Sequence, residues 1–565
     1  MILLFILAIV YVTAVVSMEP PVVVEDGSVL HIKLDKQITE LEFEEPLAEL
    51  LPNDNNSLGL VELRDAIAKA KDDSKIKGIY LNAPFVGAGF STLDEIRKSL
   101  EDFRASGKWV VAYSNYYTEG GYYLSSAADK VYMNPTGQVE LNGLAIEVNF
   151  FKKLFDKLEI KPQVFRVGDF KSAVEPFMRE NMSEENRLQL TEMVNSIHKH
   201  MLSELARSRN LPADRLKEIS DKMLVRDSKQ AVEFGLLDSL YYDDQVKSEL
   251  RARLGLEARK SIPFVKYEDY RKTVDKKSTS RNEIAVIVAD GDILPGKGDR
   301  GVVGGSTIRE QIRKARTSDR VKAIVIRVNS PGGAFTAADE MWREVYLASQ
   351  VKPVIGSMGD YAASGGYYLA MACDTIVAQP NTITGSIGVF SVLFDLSDFL
   401  GDKLGITSEQ VKTGEVGDLI TVTRPLSAQE KNIWQKQTDE VYDIFTSKAA
   451  QGRSMTQEDI MKVASGRVWT GSQALERGLV DKLGSFEDAV AIAVEKAGVA
   501  GDYQLRYYPR QKTFLEKLVR DYEEDIRIST VKKETGEYYR WFQQWEKVRH
   551  YQGTQARMPV EFTIN

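Results

Sequence analysis

The hydrophobic pattern opens with MILLFILAIVYVTAVVS, seventeen residues without a charge, followed by Glu19, Pro20 and Pro21. A run of this length is at the short end for a membrane-spanning helix and lacks the basic flank of a usual secretory signal. Residues 1–18 are therefore expected to form a membrane anchor or an uncleaved signal, with a buried helix as the alternative. Further on, apolar runs alternate with amphipathic ones. In the second half the pattern predicts a β-rich run to Val328, a helix near Ala337–Ala348, a strand over Pro353–Ser357 and a helix from Ser364. Strands and helices alternating at this spacing imply α/β domains with a buried sheet.

The pattern occurs twice. EGGYYLSSAADKVYMNP, from Glu119, and SGGYYLAMACDTIVAQP, from Ser364, share eight of seventeen positions at an offset of 245. The same offset links KGIYLNAP at Lys77 with KAIVIRVNSP at Lys322, and EFGLLDSL around Gly235 echoes ERGLVDKL around Gly478 at an offset of 243. Two degenerate repeats of one fold are expected, over 27–256 and 282–500. The charged, aperiodic stretch 257–281 reads as a linker or surface-wrapping segment. Residues 501–565, rich in Tyr, Trp, Arg, Lys and Glu, read as a tail, either a solvated helix or a surface that packs on a sister subunit or membrane.

Composition narrows the chemistry. A formal net charge of −8 argues against nucleic acid as the main partner. The single cysteine, Cys373, excludes an intrachain disulfide framework. Only four histidines occur (His31, His198, His200 and His550), and none sits in a Gly-rich turn. No metal-ligand spacing is visible, so neither metal nor cofactor is implied.

Between the two aligned copies, the first residue changes from Glu119 to Ser364. A serine between a strand and a helix is either an N-cap or a nucleophile. As a nucleophile it would face unpaired N–H groups of the helix start, Gly365 among them, which can stabilise an oxyanion. The turn Asn329-Ser330-Pro331-Gly332-Gly333 either simply ends a strand or brings a second N–H to the same place. The segment is not a G-x-S-x-G elbow, because position 362 is Ala. A base is also needed, and a lysine serves only if it is neutral. Its reference pKa of ~10.4 must then fall at a cost of roughly 3–4 kcal/mol, which requires burial. Lys171, in VFRVGDFKSAVEPF, lies between Phe170 and Ala173 and is the best candidate, although most lysines are solvated. Aligning RENMSEENRLQL, from Arg179, with RPLSAQEKNIWQ, from Arg424, sets Lys171 against Glu415 or Val416. The first half thus has the lysine without the serine, and the second the serine without the lysine. One complete site can form where they meet. The tyrosines Tyr116, Tyr117, Tyr122 and Tyr123 read as core packing or as lining of a substrate bowl.

FRVGDFKSAVEPF, RVNSPGG, MGDYAASGGYY, TITGSIGVF and VWTGSQALERGLVDKLG occur in that order. Together they resemble the signature segments of the signal peptide peptidase A family in its long, two-repeat form, over about residues 28–500. The resemblance implies tandem Clp-protease/crotonase-like domains of β-β-α units. It also implies Ser364 as nucleophile, Lys171 as general base, Gly333 and Gly365 as oxyanion-hole donors and Ser386 as the residue orienting the lysine. It implies a homotetramer anchored in the bacterial inner membrane, facing the periplasm, that degrades apolar peptides such as residual signal peptides. A hydratase-like thioester enzyme on the same fold and a non-catalytic membrane scaffold are the rivals. Carboxylates would favour the first, and a missing Ser364 or Lys171 the second.

Overall fold

Runs such as AVIVAD (285–290) and AIVIRV (323–328) are apolar on consecutive residues, the pattern of a strand covered by helices on both faces. The computed structural model describes residues 22–42, 57–274, 280–298, 301–509 and 553–558. The expected anchor over 1–18 lies outside them. Among the described residues no helix is long and apolar enough to cross a membrane.

Each half is built on a largely parallel sheet, as the alternating pattern requires. In the first, the strand order is Ser239–Leu240, Lys130–Val139, Trp109–Tyr117, Ile76–Asn82, Ser28–Lys33 and Phe264–Lys266, every pairing parallel. In the second, the main path is Val468–Thr470, Ile383–Gly385, Val354–Ala363, Val321–Ser330, Glu283–Asp290 and Gln504–Tyr508. The duplication also shows in two 26-residue helices, Glu184–Arg209 and Ala428–Arg453. Ser183 and Ser427 accept hydrogen bonds from the third residue of each helix, satisfying an otherwise orphaned N–H. Tyr117, Tyr122 and Tyr123 are fully buried in the core of the first half, whereas Tyr116 is partly exposed.

Three expectations need correction. The strand expected over Pro353–Ser357 continues to Ala363, directly before Ser364, because it stays paired with Val321–Ser330 on one side while its other side changes partner from Thr375–Ala378 to Ile383–Gly385. The stretch read as a linker contains Phe264–Lys266, which edges the first sheet, and the fully buried Tyr267 and Tyr270. The tail read from residue 501 contains Gln504–Tyr508, which edges the second sheet in the equivalent place.

A third sheet joins the halves, in the order Val302–Gly304, Asp292–Leu294, Gly332–Ala334, Gly553–Arg557, Val389–Asp395 and Lys161–Val167. Lys161–Val167 comes from the first half, and the neighbouring Val389–Asp395 from the second. A buried ion network crosses the same boundary. Arg327 of the second half reaches Glu40 at 2.9 Å and Glu95 at 2.8 Å, and Arg64 reaches Glu95 at 2.6 Å. Burial works against the Glu95 carboxylate, but the Arg327 and Arg64 guanidiniums outweigh it and hold the group below its usual range.

Candidate active site

The antiparallel pairing of Lys161–Val167 with Val389–Asp395 sets Val167 opposite Val389. Chain leaving the first strand therefore runs alongside chain entering the second, and Lys171, four residues on, arrives beside Ser386, three residues back. On the other side, Ala363 pairs with Gly385, and the Ser364 N–H donates to the Gly385 carbonyl at 2.8 Å. The short segment Gly385-Ser386 thus touches both candidate groups. The Lys171 Nζ lies 2.9 Å from Ser364 Oγ, 3.0 Å from Ser386 Oγ and 3.2 Å from the Ser386 carbonyl oxygen.

All three side chains are 0% exposed. The amine's three partners are uncharged oxygens, and burial pushes its pKa well below the ordinary lysine value. A neutral amine has two N–H groups and one lone pair. The Ser386 carbonyl can only accept, and Ser386 Oγ can take the second N–H, which leaves the lone pair for the Ser364 hydroxyl. The arrangement can remove a proton from Ser364.

Ser364 stands at the N-cap position, its carbonyl accepting from the Tyr368 N–H at 2.8 Å, but its side chain does not cap the helix. Its φ of 55° lies in the left-handed region, and its side chain accepts no capping bond. In the first half Thr118, at φ −67°, caps the equivalent helix by accepting from the Gly121 N–H, and Glu119 follows it inside the helix. The serine copy has given up a relaxed cap for a strained turn, a cost of about 1–3 kcal/mol that the surrounding structure must hold in place. Ser386, at φ 50°, is held in the same way. Glu119 is buried, with Oε1 accepting from the Gly143 N–H, and burial pushes its pKa up to about 7.

Gly333 and Gly365 come together across the turn: a methyl on Gly365 would sit 3.2 Å from the Gly333 nitrogen. The histidines are elsewhere. His31, His198 and His200 meet Asn82, Ser220 and Asp94 in the first half, and His550 lies outside the described residues. Among the described residues no group of three His, Cys, Asp or Glu could hold a metal ion.

Two supporting residues were not legible from the motifs. Gln189, on the long helix of the first half, donates to the Phe170 carbonyl at 3.0 Å and accepts from the Val468 N–H of the second half at 3.2 Å. It pins the lysine turn across the boundary. Gly466, at φ 79°, lies flat against Lys171, so that a methyl there would stand 2.6 Å from Lys171 Cβ and 2.7 Å from its Cα. The Gln189–Val468 and Gly466–Lys171 contacts join residues hundreds of positions apart, where no local pattern exists. Gly466→Ala is expected to lower kcat by about 10²-fold or more, since a displacement near 1 Å misaligns a reacting pair. Steady-state kinetics beside an intact circular-dichroism spectrum checks this.

The profile of Peptidase family S49 matches residues 102–257 and 347–500, over half the chain and in both halves. The chain belongs to peptidase family S49. Relatives of this S49 chain include the chloroplastic serine protease SPPA of Arabidopsis thaliana, 37% identical over 84% of this chain and 70% of its own length. Protease 4 of Salmonella typhi is 38% identical over 81% of this chain and 75% of its own length. Protease 4 of Haemophilus influenzae is 35% identical over 75% and 71%. Among solved structures, a mutant ClpP1 from Listeria monocytogenes aligns with 37% of the S49 chain and 95% of its own, at 14% identity and a TM-score of 0.25.

Proposed function

We propose that this chain is a membrane-anchored serine endopeptidase in which Lys171 of one repeat is the general base for Ser364 of the other. The observation that carries the proposal is the 2.9 Å contact between Lys171 Nζ and Ser364 Oγ inside a fully buried site, where burial pushes the amine's pKa well below its ordinary value. Lys171 takes the Ser364 proton as the oxygen attacks a peptide carbonyl. The resulting oxyanion rests on the N–H groups of Gly333 and Gly365. Lys171 then protonates the leaving amine, the acyl-enzyme forms, and water attacks it with the lysine again as base. Ser386 orients the amine throughout.

Apolar peptides, residual signal peptides among them, are the proposed substrates. An Enterococcus faecium relative, 35% identical over 32% of this chain, is named a putative signal peptide peptidase SppA. The proposed setting is the periplasmic face of a bacterial inner membrane, with the chain as a homotetramer. Leu404, Ile406, Val411 and Ile420, apolar yet exposed, support a surface that another subunit covers.

The test is hydrolysis of a synthetic signal peptide and of a polar control peptide by the full chain in detergent, followed from about pH 4 to about pH 11. A base with a lowered pKa must lose its proton before it works, so kcat/KM should rise with pH and level off well below ~10.4. A midpoint at ~10.4, or no dependence on pH at all, would overturn Lys171 as the base. Equal turnover of the two peptides would overturn the substrate class.

A further inference from the structure

Asn329 stands where the ladder between two strands breaks. Val321–Ser330 and Val354–Ala363 pair in register as far as Val328 with Met358, and the next pair is Ser330 with Ala362. Asn329 alone therefore stands against Gly359, Asp360 and Tyr361. A bulge of this kind interrupts the main-chain bonds and lets one strand shift against the other. A side chain closes this one. The Tyr361 N–H donates to Asn329 Oδ1 at 3.1 Å, and Asn329 Nδ2 donates to Asp290 Oδ1 at 3.0 Å. Asp290 Oδ2 in turn accepts from the Glu40 N–H of the first half at 3.3 Å.

Both strands run straight into the proposed site. Gly333 lies four residues after Asn329, and Ser364 three after Tyr361. Little slack separates the two paths: a methyl on Gly366 would stand 2.6 Å from the Ser330 carbonyl oxygen. The duplication isolates the feature. The offset of 245 sets Pro84 against Asn329, Ala88 against Gly333 and Glu119 against Ser364. The half without the serine also lacks the amide.

We infer that Asn329 is a positioning residue that holds the Gly333 N–H at its working distance from Ser364, and that Asp290 fixes which way the Asn329 amide points. The inference rests on the Ser364–Lys171 chemistry proposed above. The Tyr361 N–H can only donate and an ionised Asp290 carboxylate can only accept, so the amide has one satisfied orientation, with its oxygen toward Tyr361. Oxyanion donors act as charge develops on the substrate oxygen. A shifted turn therefore slows the chemical step more than it weakens substrate binding.

Steady-state kinetics on an apolar peptide, with urea unfolding of each variant alongside, test this. Burial and the Glu40 charge push the Asp290 carboxyl up to about 7, so rates are compared at about pH 9, where it is ionised. Asp290→Asn brings an NH2 against another N–H donor whichever way it turns, and Asn329→Asp sets a carboxylate against a carboxylate. Each should lower kcat by about 10²-fold with KM within about 2-fold of the wild type. Combining the two should restore kcat to within about 5-fold. In that variant the amide at 290 gives its oxygen to the Glu40 N–H and its NH2 to the carboxylate at 329, which accepts from Tyr361. All three bonds return, whereas a general loss of packing would only deepen with a second substitution. A combined variant as slow as the single ones overturns the inference, as does a loss that falls on KM rather than kcat. Single variants at the wild-type rate overturn it too and leave the catalytic proposal standing. Ser364→Ala at the wild-type rate would bring down both.

Discussion

Ser364→Ala and Lys171→Met are each expected to lower kcat/KM for an apolar peptide by about 10⁴-fold or more, with the double variant no worse than either. In the proposed dyad the two groups act as one unit: without the base the hydroxyl is a poor nucleophile, and without the hydroxyl the base has no proton to take. Additive losses, or substantial turnover left in Lys171→Met, would place the base elsewhere. The lysine variant carries a second signature, in stability. In the unfolded chain the amine is protonated below ~10.4. In the folded chain burial pushes its pKa well below the ordinary value, so folding expels a proton throughout the window between the two. The unfolded state binds more protons there, and stability must rise with pH, by up to about 1.4 kcal/mol per pH unit. Below the lowered pKa the slope vanishes and the full penalty remains. Lys171→Met removes both slope and penalty, and should therefore unfold at higher urea than the wild type at neutral pH. A less stable variant that keeps the slope would contradict a neutral lysine.

Arg327→Met is the variant expected to harm stability most, by about 3–5 kcal/mol. The guanidinium is 2% exposed and faces two nearly inaccessible carboxylates, Glu40 and Glu95, contributed by the other half. Removing it leaves Glu95 with Arg64 and strips Glu40 of its ion-pair partner. Asp290 stands close by, where burial and the Glu40 charge push its pKa up to about 7. The pH response gives the sign. An unpaired buried carboxylate has a raised pKa, so its destabilisation is greatest at high pH and shrinks as the pH falls and the group takes a proton. Urea midpoints at several pH values should show the gap between variant and wild type narrowing toward acid. A gap that stays constant would mean that lost packing, rather than uncompensated charge, explains the loss.

Much of this was legible in the sequence because the chain is compared with itself. The glycine-tyrosine segments at Glu119 and Ser364 expose the duplication, and the difference between the copies singles out Ser364 and Lys171 without any partner sequence. What the copies could not reveal was decided by tertiary pairing. Whether Ser364 caps its helix depends on a φ imposed by the bond from its N–H to Gly385, and a single-segment pattern holds no trace of that bond. Phe264–Lys266 is a three-residue strand, too short for any period to appear, and it counts as a strand only because Ser28–Lys33 offers an open edge. Gly553–Arg557 is polar and short in the same way, and its partners are hundreds of residues distant. Gly466 and Gln189 support the lysine through contacts across the boundary between halves, where neither helix nor strand periodicity reaches.

The Glu119–Ser364 difference also bears on the chain's history. An ancestor with both groups in both copies could have lost either copy and survived. With the proposed base in one copy and the proposed nucleophile in the other, that redundancy is absent, and each half is indispensable to its twin. A serine at position 119 would not complete a second site, because the helix there already starts on a relaxed Thr118 cap and neither Glu415 nor Val416, the positions aligned with Lys171, is a lysine. On the proposed dyad the doubled chain is therefore the smallest unit that can act, and neither half can be dispensed with.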